Sequence, residues 1–155
     1  MKMANDNPDT KSMCQKVARS LEETNALARD ILPLMLRSGV VSLEGPLGSG
    51  KTHFVKATAQ AMGIVQAVTS PTFTLLQSYE SGKVRLYHSD WYRLESEEEV
   101  LALSLEEYYG DGLILIEWGE KFSNLLSPET LIIRIETMPD ESRLFRWELK
   151  KNILP

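Results

Sequence analysis

The fold is decided by one run of eight residues, Gly45-Pro46-Leu47-Gly48-Ser49-Gly50-Lys51-Thr52. Its pattern of glycine, four variable residues, glycine, lysine and threonine is typical of a phosphate-binding loop. The glycines let the backbone curl so that several amide N–H groups converge on a polyphosphate. Lys51 would bring a full positive charge to the β- and γ-phosphates, and the Thr52 hydroxyl would be placed to ligate Mg²⁺. The motif therefore predicts a binding site for a nucleoside triphosphate.

The segments on either side of the loop favour the same interpretation. Residues 40–44 are short, β-branched and largely apolar, which predicts a strand that runs straight into the loop. A helix is expected from about Gly50 to Met62, ended by Gly63. Strand, loop and helix in this order are the context that the phosphate-loop motif requires.

The hydrophobic pattern predicts the remaining elements. A capping box at residues 20–23 begins a helix that extends to about Arg37, in which Pro33 indicates a kink or two shorter helices. A short acidic helix is expected over 95–105. Further strands are expected at 65–69, 73–80, 83–89, 113–116, 131–136 and 144–149. The second and third of these form a hairpin, the last two an antiparallel pair, and the uninterrupted apolar run 113–116 fits a parallel strand covered on both faces.

Length and composition indicate one ordinary domain. The chain has 155 residues, of which 43% are hydrophobic and 25% charged. We expect an α/β, P-loop NTPase-like domain over residues 18–155, with a mixed, mostly parallel central sheet of about seven strands flanked by helices. Residues 1–17 are polar and aperiodic and are expected to form a flexible tail.

Charge and cysteine content narrow the class of protein. A net charge of −5 argues against a domain that grips nucleic acid unaided. No apolar run approaches the ~20 residues of a membrane span, and the N-terminus lacks the apolar core of a secretory signal. The single Cys14, interpreted as a spare thiol in the tail, fits a reducing compartment. The chain is therefore expected to be cytoplasmic, with no membrane partner.

A phosphate loop needs a carboxylate on the metal side, and two candidates fit. Glu117 directly follows the apolar strand 113–116. Asp90 directly follows strand 83–89, the second strand of the predicted hairpin. Both would lie at the carboxyl end of a sheet strand, beside the loop. Spacing alone does not rank them, and a simple strand-end cap is the alternative for each.

Four blocks in register carry a family resemblance. They are the phosphate loop, Ser70-Pro71-Thr72-Phe73, Tyr87-His88-Ser89-Asp90-Trp91-Tyr92-Arg93 and Ile116-Glu117-Trp118. In this order and spacing they resemble the TsaE family, over about residues 20 to 149. These are small bacterial ATPases of tRNA threonylcarbamoyladenosine biosynthesis.

The resemblance implies a function. The family works with a heterodimer of two actin-like proteins, TsaB and TsaD, which transfers a threonylcarbamoyl group to tRNA. The target is the adenosine 3′ of the anticodon in tRNAs that read codons starting with A. TsaE proteins bind this pair and hydrolyse ATP to support turnover, so that tRNA is met only indirectly, through the complex.

The resemblance also implies residue roles. Residues 45–52 would cradle the phosphates of ATP, and Thr52 with Glu117 would hold Mg²⁺. Lys51 and Asp90 would be catalytic, with Asp90 orienting water. Residues 70–73 resemble a first switch loop, and a second includes His88, Asp90, Tyr92 and Arg93. The nucleotide would also contact Trp118, Thr24 and Arg143. The chain departs from the usual family pattern at Pro46, Ser49, Ser89 and Trp91.

Other interpretations remain open. A small P-loop kinase shares the loop but usually carries a substrate-binding insertion and an arginine-bearing lid, for which no long segment is evident. A non-catalytic nucleotide-sensing module is the second alternative. Among single residues, Arg93 is interpreted as a structural ion-pair partner rather than a cis arginine finger. His53 is interpreted as a surface residue, and His88 as either a switch residue or a strand histidine satisfied by a neighbour.

Overall fold

The computed structural model describes residues 14–71 and 75–152. Its strands are β1 (Cys14–Ala18), β2 (Val40–Glu44), β3 (Leu76–Ser81), β4 (Val84–Asp90), β5 (Leu113–Glu117), β6 (Leu131–Thr137) and β7 (Arg143–Leu149). Its helices are α1 (Leu21–Ser38), α2 (Lys51–Ala61) and α3 (Glu97–Leu101), with short 3₁₀ helices at Leu105–Tyr108, Gly119–Leu125 and Lys150–Asn152.

The strands form one seven-stranded sheet in the order β1-β7-β6-β2-β5-β4-β3. Its centre is parallel, because β2 pairs with β5 and β6, and β5 pairs with β4, in the same direction. The outer pairs β1–β7, β6–β7 and β3–β4 are antiparallel. The α/β class and the mixed sheet are confirmed. The expected excess of parallel pairing is wrong, since the pairs of the described sheet divide equally between the two directions.

Both faces of the central strands are covered, as the apolar run in β5 predicts. Leu113 and Leu115 belong to the core under α1 and α2, where Met35 and Phe54 are fully buried. Ile114 and Ile116 point to the other face and pack in a second cluster. That cluster includes residues of α3 and of the first two 3₁₀ helices. A strand buried on both sides cannot shift its register without exposing apolar side chains, so its carboxyl end is held firmly in place.

Helix α1 begins with the predicted cap. The Ser20 Oγ atom accepts a hydrogen bond from the Glu23 N–H at 3.1 Å, and the Glu23 carboxylate accepts one from the Arg19 N–H at 2.6 Å. The helix continues through Pro33 to Ser38, so that one helix is present rather than two. Tertiary packing of its apolar face offsets the backbone hydrogen bond that proline removes.

The N-terminal boundary differs from the expectation. Residues 14–17, assigned to a flexible tail, belong to β1, which pairs antiparallel with β7 at the edge of the sheet. Only residues 1–13 of that tail lie outside the described residues. Cys14 is exposed on this edge strand rather than in the tail.

Two other elements differ from the pattern-based predictions. Residues 65–69 form no strand, and Val65 is 95% exposed. Thr69 bonds through its N–H and C=O to the Tyr79 hydroxyl, at 3.2 and 3.3 Å, instead of joining a ladder. The acidic helix is shorter than expected, since α3 ends at Leu101 and Ser104 takes a left-handed conformation with φ of 52°.

A close backbone approach joins β2 to the segment after β5. A Cβ atom on Gly119 would lie 2.2 Å from the Ser42 Oγ atom, and that buried hydroxyl has no hydrogen-bond partner among the described residues. We expect Gly119→Ala to lower the free energy of unfolding by about 1–3 kcal/mol through overpacking. Ser42→Ala alone should be nearly neutral.

The double variant Gly119→Ala, Ser42→Ala is the control. Removal of the Ser42 hydroxyl makes room for the new methyl group, so the double variant should recover part of the lost stability. Urea unfolding of the three variants and the wild-type chain measures this coupling. Strict additivity of the two substitutions would contradict the close approach.

Candidate functional site

The parallel register brings the phosphate loop and both candidate acids together. In the ladder Leu43 is opposite Glu117, and Asp90 is opposite Glu117 on the other side. The loop starts directly after Glu44, the last residue of β2. The carboxyl ends of β2, β5 and β4 therefore meet at one edge of the sheet, where ligands of open α/β sheets bind.

The phosphate loop has the backbone that its glycines allow. Gly50 has φ of 106°, a conformation that favours glycine, and caps the start of α2 without a side-chain bond. A Cβ atom on Gly45 would lie 2.5 Å from the Ile135 carbonyl oxygen and 2.8 Å from the Ser49 Oγ atom. Larger residues at this position would push the loop away from β6. The first glycine of the motif is thus required by packing as well as by conformation.

Lys51 is folded back onto the loop and is 5% exposed. Its Nζ atom donates to the Gly45 carbonyl and, at 3.2 Å, to the Pro46 carbonyl. The same atom lies 3.9 Å from the centroid of the Trp118 ring, a cation–π contact. Burial lowers the pKa of Lys51, and the carboxylates of Glu120, Glu117 and Asp90 oppose that shift.

Glu117 is the point where three elements meet. Its carboxylate is 3% exposed and accepts a hydrogen bond from the Thr52 hydroxyl, with distances of 3.1 and 3.2 Å to its two oxygens. The His88 Nε2 atom, fully buried in β4, lies 2.6 Å from the Glu117 Oε2 atom. His88 is therefore a strand histidine with one ring nitrogen in contact with a neighbour, the predicted metal ligand Glu117, while its buried Nδ1 atom has no hydrogen-bond partner among the described residues.

Asp90 lies half-buried at the end of β4. Its Oδ1 atom accepts a hydrogen bond from the Tyr92 N–H at 2.9 Å. Burial raises the pKa of Asp90 and the nearby Glu117 carboxylate adds to the rise, while the Tyr92 N–H, His88 and Lys51 oppose it. A carboxylate that is poorly solvated and close to a cationic phosphate site is suited to accept a hydrogen bond from a water molecule.

A cavity of about 320–340 Å³ lies on each side of the loop. The first, of 340 Å³, holds most of the predicted phosphate and metal residues; its lining is Leu47, Gly48, Ser49, Gly50, Lys51, Thr52, His53, Ser70, Asp90, Tyr92, Glu117 and Trp118. The other, of 320 Å³, includes Thr24 and Arg143. Ser49, Gly50 and His53 line both. The two cavities together can hold a polyphosphate and the group attached to it.

His53 differs from its interpretation as a surface residue. It lies in the first turn of α2, half-buried between the two cavities, and its buried Nε2 atom has no hydrogen-bond partner in the part of the chain that the structure describes. Burial and the neighbouring Lys56 lower the pKa of His53. Of the loop residues, Gly45 and Pro46 line neither of these two cavities. Pro46 contributes its carbonyl to Lys51.

The predicted switch loops are partly described. Ser70 lines the phosphate cavity, Ser70 and Pro71 line a smaller cavity of 120 Å³ with Asp90 and Arg93, and Thr72 and Phe73 lie outside the described residues. Arg93 is exposed and forms no ion pair with any described residue, so its interpretation as an ion-pair partner is wrong for this part of the chain.

The second predicted switch is anchored by the residues at which the chain departs from the family pattern. Trp91 is 1% exposed and packs in the second core cluster. The Ser89 hydroxyl donates to the Leu75 carbonyl at 2.8 Å. Tyr92 faces the other way, half-exposed, with its ring 5.1 Å from that of Trp118. The predicted second switch is therefore buried at Ser89 and Trp91 and exposed at Tyr92.

Glu120 is a site residue that the sequence-based prediction omits. It lines a cavity together with Gly45 and Pro46, and its charge opposes the lowering of the Lys51 pKa. Burial raises the pKa of Glu120. The sequence did carry an indication, because a second acid follows Glu117 within one turn, but acids in such turns are usually solvated.

The donor atoms present fit a hard divalent cation. Thr52 and Glu117 offer a hydroxyl and a carboxylate in direct contact, and oxygen ligands suit Mg²⁺. The described residues contain no group of three or more His, Cys, Asp or Glu side chains arranged to hold a metal. Mg²⁺ typically needs only one or two protein ligands when substrate phosphates supply others.

Comparison with known proteins decides the family. A model of the family described as "Threonylcarbamoyl adenosine biosynthesis protein TsaE" matches residues 18–145. The chain belongs to the TsaE family. It is 42% identical over 122 residues to the tRNA threonylcarbamoyladenosine biosynthesis protein TsaE of Bacillus subtilis, covering 79% of this chain and 77% of the relative. The TsaE protein of Treponema pallidum is 41% identical over 128 residues, or 82% and 94% of the two chains.

A solved TsaE-like structure shares the fold. The crystal structure of Bacillus subtilis YdiB superposes with a TM-score of 0.72 and 31% identity, covering 93% of this chain and 90% of that one. This agreement confirms the predicted family and fold class together. No helix in the described part of this TsaE chain has the length and apolar character needed to cross a membrane.

The raised pKa of Asp90 predicts how the stability of the folded chain depends on pH. The folded chain holds the Asp90 proton more tightly than the unfolded chain, so stability falls as pH rises from the ordinary value of 3.8 through the raised value. Asn has no such proton and can still accept from the Tyr92 N–H. Asp90→Asn should therefore be more stable than wild type at neutral pH, with the difference disappearing below pH 3.8.

Urea unfolding at a series of pH values, without nucleotide or metal, measures this difference. Asp30→Asn is the control, because Asp30 has an exposed side chain on α1 with a single ion pair at 3.9 Å to Lys16. Its difference from wild type should be small at every pH. A less stable Asp90→Asn variant at neutral pH would show that the carboxylate is stabilised by its partners instead.

Proposed function

We propose that this TsaE chain binds ATP with Mg²⁺ and hydrolyses it to ADP and phosphate. The observation that carries the proposal is one cavity in which Lys51, the Thr52–Glu117 contact and Asp90 face each other across a phosphate loop. A polyphosphate needs convergent N–H groups and a cation, and hydrolysis needs a nearby acceptor for the attacking water. All of these parts lie within a cavity of 340 Å³.

The residues divide the chemical work. The loop N–H groups and the α2 N-terminus bind the phosphates, and Lys51 moves from the Gly45 carbonyl to neutralise charge that grows on the β–γ bridge. Asp90 orients the attacking water by accepting a hydrogen bond from it. Trp118 and Tyr92 line the same cavity, with their ring centroids 5.1 Å apart. The nucleoside part would extend into the cavity that Thr24 and Arg143 line.

The metal site follows from the same contacts. Thr52 and Glu117 would hold Mg²⁺, and His88 holds the Glu117 carboxylate in place through the Nε2 contact of 2.6 Å. When bound, Mg²⁺ neutralises charge on the phosphate oxygens. These roles are supported by the match between the available oxygen donors and the ligands that Mg²⁺ prefers.

The cellular role is proposed from the family. ATP hydrolysis would support repeated turnover by a TsaB–TsaD heterodimer in tRNA threonylcarbamoyladenosine synthesis, with tRNA contacted only through that complex. Leu47 and Tyr92 lie on the rim of the phosphate cavity and are 70% and 46% exposed. Arg93, which follows Tyr92 in the chain, is also exposed. A cavity with so open a rim fits slow hydrolysis by the chain alone and completion of the site by a partner.

The first experiment measures phosphate release from ATP and Mg²⁺, with and without the cognate TsaB–TsaD pair, beside tRNA modification. We expect the pair to stimulate release. Lys51→Ala and Asp90→Ala should each lower the stimulated rate by about 10²-fold or more, because each removes a group needed only as charge develops in the transition state. Lys56→Ala, on the exposed side of α2, is the matched control and should keep the rate.

The rival functions give different outcomes. A phosphorylated acceptor in place of free phosphate would identify a small P-loop kinase. ATP binding without any phosphate release, even with the pair, would identify a nucleotide-sensing module. Modification that proceeds over many turnovers without this chain, with release unchanged by the pair, would contradict the proposed role.

A second prediction isolates the metal site. Thr52→Val keeps the side-chain shape but removes the hydroxyl, so it should raise the Mg²⁺ concentration that half-saturates ATP binding by about tenfold. Thr52→Ser keeps a hydroxyl and should stay close to wild type. Calorimetric titration of ATP at several Mg²⁺ concentrations measures this. Equal effects of the two substitutions would place the metal elsewhere.

A further inference from the structure

Arg143 reaches the phosphate loop from the first residue of β7. Its Nε atom donates to the Ser49 carbonyl at 3.0 Å, and its Nη1 atom donates to the Glu141 carbonyl at 2.8 Å. The Nη2 atom lies 3.5 Å from the Gly48 carbonyl. A planar guanidinium with acceptors on several edges has a defined orientation. The Arg143 side chain thus links the sheet to the phosphate loop through Ser49, a residue 94 positions earlier in the sequence.

The bond to Ser49 also determines where the next amide points. The Ser49 carbonyl and the Gly50 N–H belong to one planar peptide, and the described residues contain no cis peptide bond. In a trans peptide the C=O and N–H groups point to opposite sides. Since Arg143 holds the carbonyl on its own side, the Gly50 N–H is directed away from Arg143.

That amide is available to a ligand. Gly50 lines the phosphate cavity, and its N–H has no acceptor among the described residues. The Ser49 N–H, by contrast, already donates to the Pro46 carbonyl at 3.1 Å. A Cβ atom on Gly50 would lie 3.9 Å from the Arg143 Nε atom, so the guanidinium packs directly beneath this glycine.

We propose that Arg143 is a positioning residue for the phosphate loop, which holds the Ser49 carbonyl so that the Gly50 N–H is preset to bind a phosphate oxygen. The inference rests on the proposed binding of a nucleoside triphosphate. Glycine has the freest backbone of all residues, and Gly50 sits at φ of 106°. Without the Arg143 contact the peptide between Ser49 and Gly50 would sample other orientations. The cost of ordering it when the ligand binds would then weaken binding. The positive charge beside the carbonyl also polarises the peptide and strengthens its N–H as a donor.

Arg143 has a second possible action, which a suitable ligand separates. It lines the cavity proposed for the nucleoside part, so a direct contact with the base or ribose would also weaken ATP binding when lost. Inorganic tripolyphosphate has no base or ribose. The positioning role predicts that Arg143→Ala weakens tripolyphosphate and ATP by the same factor, about tenfold, as for one charge-assisted hydrogen bond.

The experiment titrates the full chain with Mg²⁺-tripolyphosphate and with Mg²⁺-ATP by calorimetry. Arg143→Lys keeps the charge but cannot bridge the same carbonyls, so it should lose most of the same affinity. Arg37→Ala removes an exposed positive charge near the start of β2, at the opposite end of that strand from the loop, and should bind both ligands as wild type does. Guanidinium ion added at low concentration should restore part of the affinity of Arg143→Ala.

A spectroscopic measurement tests the mechanism without any ligand. In ¹⁵N-glycine, ¹³C′-serine labelled protein, Arg143→Ala should shift the Gly50 amide and the Ser49 carbonyl signals, whereas Arg37→Ala should leave both unchanged. Unfolding in urea checks that each variant is folded.

The outcomes separate the inference from the proposed function. Unchanged tripolyphosphate affinity in Arg143→Ala, with weaker ATP binding, would overturn the positioning role and make Arg143 a nucleoside contact. Unchanged Ser49 and Gly50 signals would overturn it as well. If wild-type protein binds neither ligand, the proposed nucleotide site itself is wrong.

Discussion

The buried Glu117 carboxylate is the constraint on which the rest of the site depends. A carboxyl group on a residue with 3% exposure is costly to bury unless it is hydrogen-bonded, and its partners come from two other elements. Thr52 donates from the start of α2, and His88 contacts it from β4. The parallel pairing of β5 with β2 and β4 makes these contacts possible, because it sets Leu43 and Asp90 on either side of Glu117. A change in that register would leave a buried carboxyl group without partners.

A consequence of this arrangement is that the side chains of Lys51 and Thr52, both proposed to contact the nucleotide, already have hydrogen-bond partners within the protein. Lys51 bonds to the loop carbonyls and covers Trp118, and Thr52 bonds to Glu117. A nucleotide would exchange these contacts for its own, so that the gain at Lys51 and Thr52 is modest, whereas the Gly50 N–H would gain an acceptor that it lacks among the described residues. Movement of Lys51 away from Trp118 would also change the surroundings of Tyr92, whose ring lies 5.1 Å from that of Trp118.

The sequence predicts those parts of the fold that neighbouring residues determine. The phosphate loop, its flanking strand and helix, and the buried β5 are all present close to their expected bounds. Edge strand β1 is not predictable in this way, because one buried residue, Ala18, and pairing with β7 about 125 residues later stabilise it. Residues 65–69 have strand propensity, but Thr69 bonds to the side chain of Tyr79 instead of joining a ladder. For the site, sequence spacing alone does not rank Glu117 and Asp90 as candidate metal-side carboxylates. The structure distinguishes them, because Thr52 contacts Glu117.

The charges around Lys51 explain why the net charge of the chain says little about its affinity for an anion. Three carboxylates, Glu120, Glu117 and Asp90, lie close enough to Lys51 to raise its pKa against the effect of burial. Burial raises the pKa of Asp90 and of Glu120, which shows that the lysine does not fully compensate either of them. A polyphosphate entering this cavity therefore meets repulsion as well as attraction. In the proposed site, the backbone N–H groups of the loop and a divalent cation beside Glu117 would supply the remaining attraction. Anion binding here depends on the geometry of the loop more than on the number of basic residues.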